Sequence, residues 1–193
     1  MCIRDSVDTA YTRIIRELTP TDPKWVFTTE LVNYLPASAT VPSPLKVLGY
    51  VPGTVGRLSH VADINKYMRA LAAAAPTRVK VFSAGLSDEG REMLLVAIAD
   101  ENTIAHLDEY KDRLAKLSDP RGLSAADRAQ LVQSAKPAYW LTGSIHSPET
   151  GSPEMLMELA YRLAVDESPH VRAILKGLKK YGSLICAAWP GNC

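Results

Sequence analysis

One imidazole and one carboxylate stand three positions apart in the stretch TGSIHSPETGSPEM, as His146 and Glu149. Imidazole nitrogen and carboxylate oxygen are two of the usual zinc donors, and a catalytic zinc takes three protein ligands with a fourth position open to water. The same spacing also suits a solvated pair on a turn, or a residue that caps a helix, so spacing alone leaves both readings open. Position adds weight to chemistry. In an open α/β sheet, ligand sites gather beyond the carboxyl ends of strands, where loops run into helix amino termini, and the local pattern places the pair in such a connection.

That pattern has two parts. Ala138 to Thr142 is a short apolar and aromatic run bounded by Pro137 and Gly143, which reads as a buried strand. Ser152 followed by Pro153 reads as a cap with proline in the first turn, and Met155, Leu156, Leu159, Ala160, Leu163 and Ala164 supply the apolar stripe of the helix that follows.

Further upstream, Arg78 to Ala84 alternates apolar and polar residues, and Glu92 to Ile98 is nearly all apolar. The short link between them, framed by Gly85 and Gly90, predicts an antiparallel pair. Helical spacing predicts a helix over Asp8 to Leu18, another over Asp63 to Ala75, and a third through Ile104, Leu107, Leu114 and Leu117. Ser124, with Asp127 three residues on, opens a fourth. Between the first two, Pro20, Pro23, Pro36, Pro42, Pro44 and Pro52 predict an extended arm lying on a domain.

The totals narrow the function class. The chain has 193 residues, 47% hydrophobic and 22% charged, with a net charge of +1, which is ordinary globular usage. No basic run with interleaved aromatics offers a nucleic-acid surface; Lys176 to Lys180 reads as a solvated helix face. No apolar run approaches the ~20 residues that a membrane span requires. Cys2, Cys186 and Cys193 are too few for a disulfide framework and read as ordinary thiols, with a bridge between Cys186 and Cys193 as the alternative. The opening MCIRDS has no apolar signal region and resembles translated sequencing-adapter sequence, so residues 1–6 are expected to be a non-native leader.

Three stretches together resemble one family. HSPETGSPEMLMELAYRLAV (His146 to Val165), preceded by AYWLTGSI, is similar to the first metal-binding segment of the zinc metallocarboxypeptidases related to pancreatic carboxypeptidase A, in particular their larger bacterial members. VKVFSAGLSDEGREMLLVAIAD (Val79 to Asp100) resembles that family's early hairpin, and VPSPLKVLGYVPG (Val41 to Gly53) its approach segment. The likeness runs from Val7 to about Ile174.

The resemblance implies a mixed α/β fold, a sheet flanked by helices, with residues 7–53 as an amino-terminal helix and Pro-rich arm. Residues 54–193 would be the amino-terminal part of the catalytic domain, incomplete at the carboxyl end, with 175–193 a poorly matching tail. It implies Zn2+ as cofactor, peptide or protein substrates, and His146 and Glu149 as the first two metal ligands. A third histidine ligand, a general-base glutamate and a carboxylate-binding arginine are expected beyond this chain, so the fragment alone is expected to be inactive. Similar bacterial proteins are commonly exported to the periplasm or outside the cell, but the sequence itself leaves the compartment of the parent open. The rival readings are a zinc deacylase of acylated amino acids and a non-catalytic domain that binds a peptide or partner.

Other residues have plainer readings. His60, His106 and His170 lie in no segment that the family uses for metal and read as surface histidines, His106 on the polar side of a helix. Trp25, Tyr139 and Trp140 read as core aromatics. Glu89-Gly90-Arg91 reads as a turn with a local ion pair. Pro148 stands where some relatives carry an arginine.

Overall fold

The structure, a computed structural model, describes residues 7–19, 34–146, 148–176 and 183–188. Trp25, Cys2, Cys193, the leader and most of the Lys176 to Lys180 stretch lie outside these. Four strands form one mixed sheet, β1 (Val79–Leu86), β2 (Glu92–Ile98), β3 (Ala138–Gly143) and β4 (Ser183–Ala188), in the order β1-β2-β4-β3. β1 and β2 are the antiparallel hairpin that the alternation predicts, with a register shift between Ser83 and Gly85. β4 runs antiparallel to β2 and parallel to β3. It falls in the tail, where the sequence patterns single out no strand, yet it sits inside the sheet.

Helix α3 (Val61–Ala74) and helix α7 (Gly151–Val165) pack on each other and on one face of this sheet. Their stripes, Ile64, Tyr67, Met68 and Leu71 from α3 with Leu156, Met157, Ala160 and Tyr161 from α7, meet Val79, Leu94, Val96 and Ile98 in one core. Helix α5 (Leu107–Ser118) approaches the other face, where Lys111 Nζ stands 6.0 Å from the Phe82 ring.

Helix α1 (Thr9–Leu18) is capped by Asp8, whose side chain accepts from Tyr11 N at 2.9 Å. The arm that follows is pinned to α7: Tyr161 Oη donates to Pro36 O (2.9 Å) and Arg162 Nη2 to Tyr34 O (2.9 Å). It is not wholly extended, since Pro44–Leu48 forms helix α2, closed by Gly49. Helix α8 (Pro169–Lys176) follows α7. Arg78, only 9% exposed, binds Glu101 at 2.8 Å and Glu167 at 2.5 Å, tying the start of β1 to the segments after β2 and α7.

Three expectations need correction. The third helix is two, α4 (Glu101–Ala105) and α5, broken at His106, whose φ −113 and ψ 27 leave the helical region. His106 Nδ1 lies 2.8 Å from Asn102 O, so the imidazole stands at the end of α4 and not on the polar side of a continuous helix. β3 is present but not buried: among the described residues it pairs on one side only, at the edge of the sheet, and Tyr139 and Trp140 are 59% and 56% exposed. Apolar composition identifies a strand but carries no information on which strand ends a sheet. Finally, α7 starts at Gly151 after Thr150, so Ser152 is not its cap. Pro153 at the third helical position is tolerated because an N–H there has no intrahelical acceptor in any case. The fourth helix, α6 (Ala125–Ser134), begins as expected, with Ser124 accepting from Asp127 N at 3.1 Å. No helix among the described residues is long and apolar enough to cross a membrane.

Glu158 on α7 neighbours Tyr11 of α1. Burial pushes its carboxyl above the ordinary range, against the opposing effects of Arg162 and Tyr11. With the folded-state pKa above the unfolded one, the stability that Glu158 allows is full below the unfolded value and is lost as pH rises through the folded one. Glu158→Gln, neutral at every pH, is expected to raise the thermal midpoint at pH 7.5 by about 3 °C and to change it much less at pH 4. Equal midpoints for both proteins at pH 7.5, measured by circular dichroism, would contradict this.

Candidate metal centre

The connection from β3 to α7 is set by one close approach. Gly143 is buried, and a Cβ there would lie 2.8 Å from Leu156 Cδ1 and 3.3 Å from Pro153 Cα. Only a residue without a side chain lets the strand end pass so near the first turn of α7. Ser144 follows with φ 64, the single non-glycine residue among those described in the left-handed region, and is 7% exposed. Such a conformation costs roughly 1–3 kcal/mol and persists only where surroundings impose it. Here the Ser144 hydroxyl donates to His146 O, and Glu149 N–H donates to the same carbonyl at 3.1 Å. Thr150 N then donates to Pro148 O at 3.1 Å, and the helix begins. The turn is thus wound around the His146 carbonyl.

Its two donor side chains converge. His146 Nδ1 lies 2.9 Å from Glu149 Oε1, and both side chains are largely exposed, at 70% and 58%. Two ligands of a tetrahedral zinc, each about 2.1 Å from the ion, stand roughly 3.4 Å apart. Moving the two exposed side chains about half an ångström further apart would therefore let both reach one ion. Imidazole plus carboxylate is also the right donor chemistry. The described residues hold no group of three or more His, Cys, Asp or Glu side chains that could bind a metal, so they supply this pair and no third ligand. His106 and His170 are exposed and do not line the cleft beside the turn, whereas His60 lines the same cleft as Glu149.

That cleft, about 580 Å3, lies between the turn, the amino end of α3 and the start of β2. One wall is held by Glu154 in the first turn of α7. This carboxylate is 6% exposed and accepts from Ser59 N at 2.8 Å and from Gly53 N at 3.1 Å. A carboxylate there also faces the positive end of the helix dipole. Its buried charge is thus hydrogen-bonded, and it fastens the 53–59 segment beside the turn that carries His146 and Glu149. Across the cleft, Gly90 (φ 77) closes the β1–β2 turn and Arg91 pairs with Glu89, as the triplet suggests.

Two residues that shape the site escaped the sequence patterns. Ser144 gives no signal, since serine in a loop is commonplace and its left-handed backbone is a tertiary effect. Glu154 has the composition of a helix first turn, but its partners lie 95 and 101 residues away in the chain.

With this geometry in place, comparisons with known proteins can be set beside it. A family model described as zinc carboxypeptidase matches residues 64–181, more than half of the chain. Among solved structures, the chain is similar to carboxypeptidase A from Helicoverpa armigera, at 14% identity and a TM-score of 0.38, over 77% of this chain and 30% of that one. The chain therefore spans less than a third of that protein's resolved length. No curated protein matches it.

Gly143→Ala is expected to destabilise the fold by about 1–3 kcal/mol, the usual cost of overpacking. The added methyl meets backbone at Pro153 as well as a side chain, so a rotamer change alone does not relieve it. A denaturation midpoint equal to wild type would show that the strand and helix do not meet as closely as described.

Proposed function

Because the chain belongs to the zinc carboxypeptidase family, we propose that His146 and Glu149 are two protein ligands of a zinc ion in a metallocarboxypeptidase that removes carboxy-terminal residues from peptides. The observation that carries this reading is the convergence of His146 Nδ1 and Glu149 Oε1 at the strand-to-helix turn, inside the residues that the family model matches.

Zinc, when bound at such a site, polarises a carbonyl and lowers the pKa of a bound water from ~16 toward ~7. The roles of this chain's own residues are to hold and to orient. His146 and Glu149 present a neutral nitrogen and an anionic oxygen on one side of the turn. Ser144 and the Glu149 amide fix the His146 backbone from which one ligand springs. Gly143 sets how far the turn stands from α7. Glu154 keeps the neighbouring segment, and hence the cleft wall, at a fixed distance.

Two protein ligands bind zinc weakly compared with three. The third ligand, the general base and the group that receives the substrate's terminal carboxylate are proposed to belong to the longer parent protein. On this reading the 193-residue chain alone does not release terminal residues from peptides.

Equilibrium dialysis against zinc tests the ligand assignment. Wild type should bind zinc at least about tenfold more tightly than His146→Ala or Glu149→Gln, since even partners that only support a ligand reach that scale. Both variants replace exposed side chains and should unfold at the wild-type temperature. Equal zinc affinity in all three proteins would show that the pair is an ordinary turn.

A further inference from the structure

A second cleft, of about 530 Å3, lies between α7, α8 and Tyr34 of the arm, and among the described residues it shares no lining residue with the cleft beside the His146 turn. Its volume is that of a small-molecule pocket. Met155, Leu159, Leu163, Val171 and Ile174 give it an apolar wall, while Glu158, Arg162 and Asp166 bring charge and the exposed His170 lines it too. Two carboxylates thus share one guanidinium, and that guanidinium is already committed. Arg162 Nε stands 3.9 Å from Asp166 Oδ2, Nη2 donates to Tyr34 O at 2.9 Å, and the group lies 4.4 Å from the centroid of the Tyr34 ring. Asp166 also accepts from Ser168 N at 2.7 Å. Glu158, half-buried in the same wall, forms no ion pair among the described residues. Tyr11 neighbours it from α1, but Tyr11 Oη has no hydrogen-bond partner there either. Burial pushes the Glu158 carboxyl up, and Arg162 only moderates that push. A carboxylate left unpaired in an apolar wall is costly, and a cation beside it would relieve the cost.

We propose that this cleft binds a small-molecule amine, whose protonated amino group pairs with Glu158 while its apolar body seats against Met155, Leu159, Leu163, Val171 and Ile174. Charge and lining together select that chemistry. An anion would meet a cleft with one carboxylate in excess, and a neutral apolar molecule would leave Glu158 unpaired. A metal ion would need further donors, and the described residues offer no group of three. An ammonium on an apolar body gives the carboxylate a charged N–H donor and the wall a surface to bury. The site is separate from the zinc reading and does not depend on it. Its occupation would bridge the arm at Tyr34 to α7 and α8.

The test compares three probes of one shape and different charge. The full chain, labelled with 15N, is titrated at pH 7.5 with 2-phenylethylamine, with neutral 2-phenylethanol and with anionic 3-phenylpropionate, and amide shifts are followed by NMR. The amine should produce saturable shifts centred on Tyr34, α7 and α8, with an affinity at least about tenfold above that of the alcohol, the scale of one charged hydrogen bond. The carboxylate should bind more weakly than either. In Glu158→Gln, which keeps the shape of the side chain and is expected to be the more stable protein at this pH, the amine should lose about tenfold while the alcohol changes far less. Retained alcohol binding shows that the cleft of the variant is intact. Equal affinity for amine and alcohol, wild-type amine affinity in Glu158→Gln, or shifts that scatter over the surface or never saturate would overturn the site.

Discussion

The candidate centre depends on how closely the end of β3 passes the first turn of α7. Gly143 permits a distance at which any side chain would strike Leu156 and the Pro153 backbone. That contact leaves the chain only a few residues to rise from strand to helix. Ser144 meets the demand by taking a left-handed backbone, and the His146 carbonyl gathers the hydrogen bonds that would otherwise be lost. The pair at His146 and Glu149 is therefore presented by packing. Its position follows from the core that α7 forms with α3 and the sheet.

Buried charge is handled in the same way around this core, by giving each group partners on another segment. Glu154 joins α7 to the 53–59 segment through two backbone donors. Asp100 suffers from burial, yet hydrogen bonds from Thr103 and Lys136 hold its carboxyl below the ordinary range, and they connect α4 to the residues just before β3. Arg78 joins β1 to Glu101 and Glu167. Where both members are largely buried, as with Asp100 and Lys136, removing one leaves the other buried and unpaired, which is far more costly than the pair's net gain. Arg91, which lines the same cleft as Glu149, differs in that among the described residues its buried Nη1 has no hydrogen-bond partner.

Much of this was legible in the sequence because it is local. The β1–β2 hairpin follows from alternation and the flanking glycines, the α3 and α7 stripes from helical spacing, and the α6 start from Ser124 and Asp127. The pair at His146 and Glu149 stood out by residue type and by its place between a strand and a helix. What could not be read depends on neighbours far along the chain. Exposure of Tyr139 and Trp140 follows from β3 being an edge strand, which is a property of sheet order. β4 enters the sheet between β2 and β3 from a tail whose residues carry no clear strand boundary. The break at His106 interrupts an apolar spacing that continues unchanged through it, so periodicity alone joins α4 to α5.

The central claim is that an imidazole and a carboxylate from one turn hold the same zinc ion. X-ray absorption at the zinc edge, on the wild-type chain with one equivalent of zinc and on His146→Ala, addresses it most directly. The wild-type spectrum should contain the outer-shell scattering of a single imidazole with nitrogen and oxygen neighbours at about 2.0–2.2 Å, and the variant should lack the imidazole pattern. Identical spectra from the two proteins, or a wild-type spectrum matching hydrated zinc, would contradict the account.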